Sequence, residues 1–497
     1  MPPSFFDIDE LLRLVIDELV ETSRRSAVSF ALTCRSFEEP TLSSLWEKQT
    51  SFIHLLRVMR GFTYLENERT HATAVSCRDF PVCRIQHQFP QEIGRNHSRM
   101  EWARFRRYAS WMRGLKINYH GTTSTDTLSM ISCHIPRGLL FPKLEWLHWD
   151  VYIADPVFPF FDLFLSPRLQ RVTFHADPHS FDIPQRRVAV FAQIISVLPT
   201  PLEDLFIECG QGKGGRLKDA MSSLVCRCGP SLRGFGTRIR LSKAAFHHLM
   251  QLPNLSHWVT SQGPPRDFST HVFPPLEKLR LYKLEALPWL HLLASHEKSI
   301  LPKGSASAIS HTKIGGTLKF LDCPESTIID SAFLSSIVTF RSLVTLHVRS
   351  FCCNDAGSCT FRITDDDVKD LVVAMPHLDE LRLGQPCGMN TCNTTVASLV
   401  STSVHCPDLK NLETHFNTRG IVGDMQRLLD GGTERDKAKC KLRSLCVARM
   451  PLEVGEEDIQ TIAMGLNAIF PDLLDLKSYT GSWPRVRHKM VDLQGCC

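Results

Sequence analysis

The sequence predicts an α/β protein in which short parallel β-strands alternate with α-helices in a solenoid, preceded by an N-terminal module of three helices. Two observations lead to this prediction. A short apolar pattern typical of a strand recurs along the chain from residue 112 onward. In the first 48 residues, apolar side chains recur at helical spacing instead. A chain of 497 residues is also too long for one compact core, which favours several domains or an elongated repeat array.

The recurring strand pattern is Leu-x-x-Leu-x-apolar, and a proline usually stands shortly before its first leucine. Clear copies begin at Leu144, Leu169, Leu202, Leu276, Leu343, Leu378, Leu409, Leu442 and Leu473, and weaker copies begin at Leu232, Leu255 and Leu318. Counted from Met112, consecutive copies lie 21 to 42 residues apart, as in a repeat array with loop insertions. The segments between copies, such as 188–198 and 366–375, are expected to return as amphipathic helices that end at the proline.

This pattern resembles the leucine-rich repeat, in which each unit supplies one strand and stacked units bury a shared core. The alternative is an ordinary α/β domain with parallel strands, which a dozen copies of one strand pattern disfavour. The widest interval between copies contains residues 295–316, whose run of Gly, Ser and Ala predicts a flexible insertion.

The N-terminal helices are predicted from apolar periodicity and capping residues. Between residues 7 and 20, one apolar stripe is formed by Ile8, Leu11, Leu12, Val15, Ile16 and Leu19. Asp7 is placed to cap this helix, with Glu10 at the reciprocal position of a capping box. Ser23 is predicted to cap a second helix that buries Ala27, Val28, Ala31 and Leu32, and Pro40 to open a third that ends at Leu45 and Trp46.

So small a helical unit rarely folds well without a partner or a neighbouring domain, so it is either a cap for the repeats or a docking module. Three segments support the second interpretation: residues 8–19, the run Ala-Leu-Thr-Cys-Arg-Ser-Phe at 31–37, and the Leu-Trp pair at 45–46. In this order they resemble the F-box, although Asp9 stands where that family has proline and Phe37 where it has tryptophan. The resemblance implies docking on the Skp adaptor of a cullin-RING ubiquitin ligase. The adaptor-binding candidates that it implies are Ile8, Leu11, Leu12, Ile16, Cys34, Arg35, Phe37, Leu45 and Trp46.

These patterns predict four regions along the chain. They are the F-box at 5–48, a helical connector at 49–110, the repeat solenoid at 111–484 and a C-terminal tail at 485–497. The connector contains Arg-Phe-x-x-Tyr-Ala at 104–109, which resembles the connector of fungal F-box proteins.

Composition argues against nucleic acid and membrane as partners. The formal net charge of +5 is spread over the chain, whereas nucleic-acid binding usually shows a concentrated basic patch. The start of the chain does not resemble a secretory signal, and the most apolar stretch, 157–165, is far shorter than a bilayer span. We also expect no lipid on the terminal pair Cys496 and Cys497, which lacks a C-a-a-X box. Cytoplasmic or nuclear localisation is therefore expected.

Motifs for catalysis, cofactors and metals are weak, so no cofactor, no metal and no enzyme activity are expected. The G-x-G-x-x-G pattern of dinucleotide-binding sites is satisfied by Gly210, Gly212 and Gly215. However, the segment 227–240 contains no Asp or Glu that could bind the ribose of the dinucleotide. Cys226 and Cys228 lack the paired C-x-x-C spacing of a zinc site. No G-x-S-x-G or H-E-x-x-H motif occurs.

Side chains between the strand leucines should line the face of the sheet opposite the core. In the middle repeats, six such residues are the target-binding candidates: Lys278, Arg280, Tyr282, His347, Arg349 and Arg382. They form either a solvated strand face or a pocket for an acidic or phosphorylated peptide, because arginine binds carboxylate and phosphate bidentately.

Together with the F-box resemblance, these features predict a substrate-recognition subunit of a Skp-cullin-F-box E3 ubiquitin ligase with an unknown protein target. The alternative is a non-catalytic repeat scaffold with a degenerate F-box that binds partners without ubiquitination.

Overall fold

A computed structural model describes residues 9–59, 99–118, 125–135, 140–150, 158–175, 185–208, 215–264, 274–282, 288–290, 293, 317–326, 329–350, 361–384, 393–431, 440–447, 452, 454–478 and 481–495. In these residues the fold is α/β with parallel strands, as predicted. The chain divides into two compact units, residues 1–228 and 229–497, and each is considered by itself below.

Unit 1 begins with three helices, α1 (Asp9–Thr22), α2 (Arg24–Ala31) and α3 (Arg35–Glu47). The Ser23 hydroxyl accepts a hydrogen bond from the backbone N–H of Ser26 (3.2 Å), which confirms the predicted cap of α2. Their small core consists of Leu12, Ile16, Ala27, Ala31 and Leu45. Asp7 and Ile8 lie outside the described residues.

Two predictions about this module are wrong. The third helix begins at Arg35 rather than at Pro40, because its first turn is already closed by the Phe37 N–H bonding to Cys34 O (3.0 Å). Pro40 lies inside the helix, where it removes one backbone donor. Val28 and Leu32 are exposed rather than buried, since the short α2 turns only Ala27 and Ala31 inward.

The remainder of unit 1 carries a parallel sheet whose strands follow in sequence order. Its elements are β1 (Lys48–Gln49), α4 (Ile53–Leu56), α5 (Arg99–Ala109), β2 (Gly114–Asn118), α6 (Thr125–His134), β3 (Trp146–Asp150), a 3-10 helix (Phe158–Phe164), β4 (Arg171–His175), α7 (Gln185–Val197), β5 (Asp204–Glu208) and α8 (Gly215–Arg227). Leu115, Leu147, Val172 and Leu205 stand side by side in register and are buried.

Unit 2 continues the same alternation in its described residues, and its nine strands also follow in sequence order. Its elements are β6 (Gly234–Thr237), α9 (Lys243–Met250), β7 (His257–Thr260), β8 (Lys278–Leu281), β9 (Phe320–Ser326), α10 (Ser331–Ile337), β10 (Thr345–Ser350), α11 (Asp365–Ala374), β11 (Glu380–Leu383), α12 (Val396–His405), β12 (Asn411–Glu413), α13 (Ile421–Gly431), β13 (Ser444–Cys446), α14 (Glu456–Ile469), β14 (Asp475–Lys477) and α15 (Trp483–Gly495).

The predicted strand repeat is confirmed. Each first position of the pattern is at most 2% exposed and is followed by a strand, including the weak copies at Leu232, Leu255 and Leu318. In unit 2 the second leucines form a buried row, in register from one strand to the next: Leu279, Leu321, Leu346, Leu381, Leu412, Leu445 and Leu476. The predicted return helices at 188–198 and 366–375 correspond to α7 and α11.

The last helix, α15, extends to residue 495, so the chain beyond residue 485, expected as a tail, begins inside a helix. Trp483, Val486 and Met490 of this helix are buried. The terminal cysteines and the predicted insertion at 295–316 lie outside the described residues. Within the part of the chain that is described, no helix combines the length and apolarity that a membrane crossing requires.

Two glycines with positive φ allow a matched test of packing at the start of α15. Gly481 has φ +67°, and an added Cβ would stand 2.6 Å from the backbone oxygen of Leu452. Gly420 has φ +78°, but a Cβ there would meet nothing within 4 Å. We expect Gly420→Ala to cost about 1 kcal/mol from left-handed strain alone, and Gly481→Ala about 3 kcal/mol because a backbone clash is added. Urea unfolding of the full chain measures both, and equal losses would contradict the clash.

Candidate protein-interaction sites

The N-terminal module exposes large apolar side chains. Leu14 is 66% exposed and Leu32 is 81% exposed, and Val28 of α2 is also open to solvent. In the same module, the partly exposed rings of Phe30 and Phe37 stack in parallel with centroids 4.6 Å apart. A module with so small a core thus leaves much of its apolar surface uncovered, which is a property of protein-interaction sites.

The adaptor-binding candidates divide into core and surface residues. Leu12, Ile16 and Leu45 are buried, Leu11, Phe37 and Trp46 are partly exposed, Cys34 and Arg35 are exposed, and Ile8 lies outside the described residues. The Trp46 ring packs against Tyr108 of α5, with centroids 4.8 Å apart, so it joins the module to the connector. Hydrogen bonding to Ser36 lowers the pKa of the exposed Cys34 thiol.

Leu14 and Leu32 were missed as candidate surface residues. Leu14 lies off the apolar stripe of α1, and an apolar residue off the stripe is itself a signal of surface exposure. Leu32 was assigned to the buried face of α2, but it is the residue that ends this helix and points outward.

The open face of unit 2 is defined here as the side chains that alternate with the buried leucines on strands β8 to β11. It contains all six predicted target-binding candidates: Lys278, Arg280, Tyr282, His347, Arg349 and Arg382. The register also places Asp322 of β9 directly between Arg280 and His347. The open face is therefore ionic rather than purely basic.

Asp322 is the centre of this face. Its side chain is fully buried, and its Oδ2 accepts a hydrogen bond from Arg280 Nε at 2.7 Å. Arg349 Nη2 lies 3.8 Å from the other carboxylate oxygen, Oδ1, which has no hydrogen-bond partner among the described residues. A buried carboxylate is costly unless cations compensate it. Asp322 therefore holds the Arg280 guanidinium in place through the hydrogen bond, and the charge of Arg349 adds to the compensation. Burial by itself lowers the pKa of Arg280, but the Asp322 carboxylate and the Tyr282 hydroxyl together more than offset this, so the pKa is raised.

Arg382 belongs to a separate ion-pair group. Its guanidinium bonds to Glu380 through Nε at 2.7 Å and lies 3.8 Å from Glu413. His347 Nε2 stands 3.2 Å from Glu380 Oε1, but the geometry is not that of a hydrogen bond. Burial lowers the pKa of His347, and the Glu380 carboxylate offsets this only in part. The positive charge of Arg382 is thus already matched within the protein.

Arg238, which follows β6, was not among the six target-binding candidates but lies beside one of them, Tyr282. Its guanidinium carbon lies 4.2 Å from the centroid of the Tyr282 ring, and that of Arg280 lies 6.0 Å away. The Nε of Arg238 is buried without a hydrogen-bond partner in the described part of the chain. The spacing that leads to the open-face residues in the clear repeats leads to Arg238 and Asp322 in the weak copies at Leu232 and Leu318.

His257 of β7 is affected by two cations of β8. Burial, together with the charges of Lys278 and Arg280, lowers the pKa of His257 to about 4. This imidazole stands beside Lys278 in the sheet register and is therefore uncharged at neutral pH. Tyr282, between Arg238 and Arg280, is itself 7% exposed and serves as a rigid surface for the two cations.

The corresponding face of unit 1 carries two neighbouring histidines. Its strands present Trp146 and His148 on β3 and His175 on β4, with the two imidazole rings 5.2 Å apart. Burial and the neighbouring His175 lower the pKa of His148 to about 4. His175 Nδ1 lies 3.3 Å from Glu208 Oε2. Across the described residues, no group of three or more His, Cys, Asp or Glu side chains is arranged to hold a metal ion.

No family model matches this sequence, and no curated protein matches it either. The functional argument therefore depends on the two surfaces described above.

The Arg280–Asp322 pair provides a stability test. Arg280→Met leaves a fully buried carboxylate without its closest cation, so we expect a loss of about 3 kcal/mol in the free energy of unfolding. The matched control is Arg443→Met at an exposed position before β13, where a change within about 0.5 kcal/mol is expected.

Asp322→Asn in the Arg280→Met background should recover part of the loss, because a neutral amide costs less to bury than a carboxylate. Urea unfolding of the four proteins provides the comparison. If Arg280→Met loses no more stability than Arg443→Met, the ion pair does not contribute as described.

Proposed function

We propose that this chain is the substrate-recognition subunit of a Skp-cullin-F-box E3 ubiquitin ligase, with the N-terminal module bound to the Skp adaptor and the repeats bound to a target protein. The observation that carries the proposal is the three-helix module whose Leu14 and Leu32 remain open to solvent. The resemblance of the same residues to the F-box supports the Skp adaptor as the partner.

The proposed mechanism is proximity. One part of the chain holds the ligase, the other holds the target, and a target lysine is brought close to the ubiquitin-charged enzyme. Holding two reactants together converts a bimolecular encounter into an effectively unimolecular step, so the chain accelerates transfer without catalytic residues of its own. Such a subunit would act in the cytoplasm or the nucleus.

The exposed leucines are suited to the adaptor interface. Complete burial of a leucine contributes about 1.5–3 kcal/mol, and interface energy is usually concentrated in a few well-covered side chains. Leu12, Ile16 and Leu45 would contribute indirectly, since they form the core that holds the surface in shape.

A repeat scaffold that recruits no ligase is the second candidate. Asp9 favours it, because this first residue of α1 replaces the proline of the family pattern. Both candidates use the open faces of the repeats to bind proteins, and only the first requires the adaptor.

Adaptor binding by the full chain separates the two candidates. We expect the wild-type protein to bind a purified Skp adaptor, and Leu14→Gln with Leu32→Gln to weaken binding at least tenfold, because both apolar contacts are lost without disturbing the core. The matched control is Leu474→Gln in unit 2, whose leucine is 68% exposed and should leave adaptor binding unchanged. Biolayer interferometry gives the affinities.

Absence of adaptor binding by the wild-type chain would overturn the ligase proposal and favour the scaffold. Binding that is unaffected by the Leu14 and Leu32 changes would show that the adaptor contacts a different surface.

A further inference from the structure

A groove of about 720 Å³ lies between helices α10 and α11 of unit 2, among the helices rather than on the open face. Leu334, which is 2% exposed, lies at its floor, and Val338 and Val373 line its walls. Val373 is 52% exposed, so the groove presents an apolar side chain to solvent. Its volume lies within the range of about 300–1,000 Å³ that is usual for binding sites.

The helices on either side of α11 differ in how they contact it. Toward α12, Asp365 accepts hydrogen bonds from the backbone N–H and the hydroxyl of Thr395 at 2.7 Å each, and Cys406 Sγ donates to Met375 O at 3.5 Å. These bonds fix both ends of α11 against that neighbour. On the other flank stands α10, which has 7 residues against the 10 of α11, and the groove lies along this shorter helix.

The two ends of the groove differ in charge. Asp370 lines it within α11, whereas Arg341 and His377 line it beyond the C-terminal ends of α10 and α11. Asp370 and Arg341 are exposed, and neither forms an ion pair with a described residue. Asp367, by contrast, is engaged as a cap by the N–H and the hydroxyl of Thr364, at 2.8 Å each. The groove therefore offers one carboxylate and one guanidinium on either side of an apolar centre.

The length of the groove suits a short extended segment. From Asp367 to Ala374 the lining follows α11 for about 10 Å at the helical rise of 1.5 Å per residue, and Pro376 and His377 extend it further. In an extended chain, alternate side chains point to the same side, and three of them span about 13 Å. One such segment can thus contact both charged ends and the apolar centre.

We infer that the groove between α10 and α11 binds a short extended segment of another protein, in which a basic, an apolar and an acidic residue occupy alternate positions. The basic side chain pairs with Asp370, the apolar one covers Leu334 and Val373, and the acidic one pairs with Arg341. Complementary charges at the two ends set the register and disfavour segments with the wrong sign. The inference goes beyond the proposed function, because neither the adaptor nor a target on the open face requires this groove.

The test uses the purified full-length chain and four bead-bound degenerate peptide pools. The dipolar pool has a central leucine, with lysine two residues to one side and glutamate two residues to the other, in either order. The remaining pools carry lysine on both sides, glutamate on both sides, or serine in place of the leucine. We expect the dipolar pool to retain at least five times more protein than either same-charge pool, and about ten times more than the serine pool.

Three substitutions at exposed lining residues test the assignment of the contacts. Asp370→Asn and Arg341→Gln should each reduce retention on the dipolar pool about threefold, because each removes one exposed ion pair. Val373→Asn should reduce it about fivefold, since a polar side chain replaces the apolar contact.

Each change has a matched control at an exposed position that does not line the groove. The controls are Asp366→Asn for Asp370, Arg443→Gln for Arg341 and Val491→Asn for Val373, and Val491 is 54% exposed. All three should retain the wild-type preference. Circular dichroism of every variant shows that a loss of binding does not come from unfolding.

A charge reversal gives a result that unfolding cannot imitate. Asp370→Lys should shift retention from the dipolar pool toward the glutamate pool, because a cation then stands at each end of the groove. Asp366→Lys makes the same change outside the groove and should keep the preference for the dipolar pool.

Four results would overturn the inference. They are equal retention by all pools, a dipolar preference that the groove variants and their controls affect equally, an unchanged preference in Asp370→Lys, and a glutamate-pool preference of the wild type that persists in Arg341→Gln. The last would assign peptide binding to a surface outside the groove.

Adaptor binding is measured on the same variants and should equal that of the wild type, because none of the changed residues belongs to the N-terminal module. Groove selectivity without adaptor binding would support the groove and reject the ligase. The reverse result would reject the groove alone.

Discussion

The buried row of leucines that crosses the strands of unit 2 is the interaction on which the surrounding structure depends. Leu279, Leu321, Leu346 and Leu381 stand in register on adjacent parallel strands, and each is almost fully removed from solvent. Because side chains alternate along a strand, burial of these leucines also determines which residues face the other way. A slip of one residue would turn the whole row to the open face, so the apolar pattern specifies the register.

The ionic open face follows from that register. Arg280, Asp322 and His347 become neighbours only because three separate repeats align their leucines. Asp322 lies in a weak copy of the repeat, yet it organises the arginines on both sides. In such a partly buried environment, the position of one carboxylate decides which cations are paired.

The two surfaces differ in physical character. The N-terminal module offers leucine side chains, so contacts there depend on apolar burial and respond little to salt. The open face of unit 2 offers guanidinium groups, whose attraction to a ligand weakens as ionic strength rises. Under the proposed function, this difference would allow a constant association with the adaptor and a separately regulated association with the target.

The sequence by itself determined the alternation of strands and helices, the twelve buried first leucines and the cap at Ser23, because these depend on local periodicity and short-range hydrogen bonds. It also indicated which residues of the clear repeats share the open face. Only the tertiary structure decided how the charges on that face are paired, since Arg280 and Asp322 are 42 residues apart and meet through strand register. The exposure of Leu32 was likewise a tertiary outcome, because the packing of three short helices, rather than periodicity, selects which apolar residues are covered.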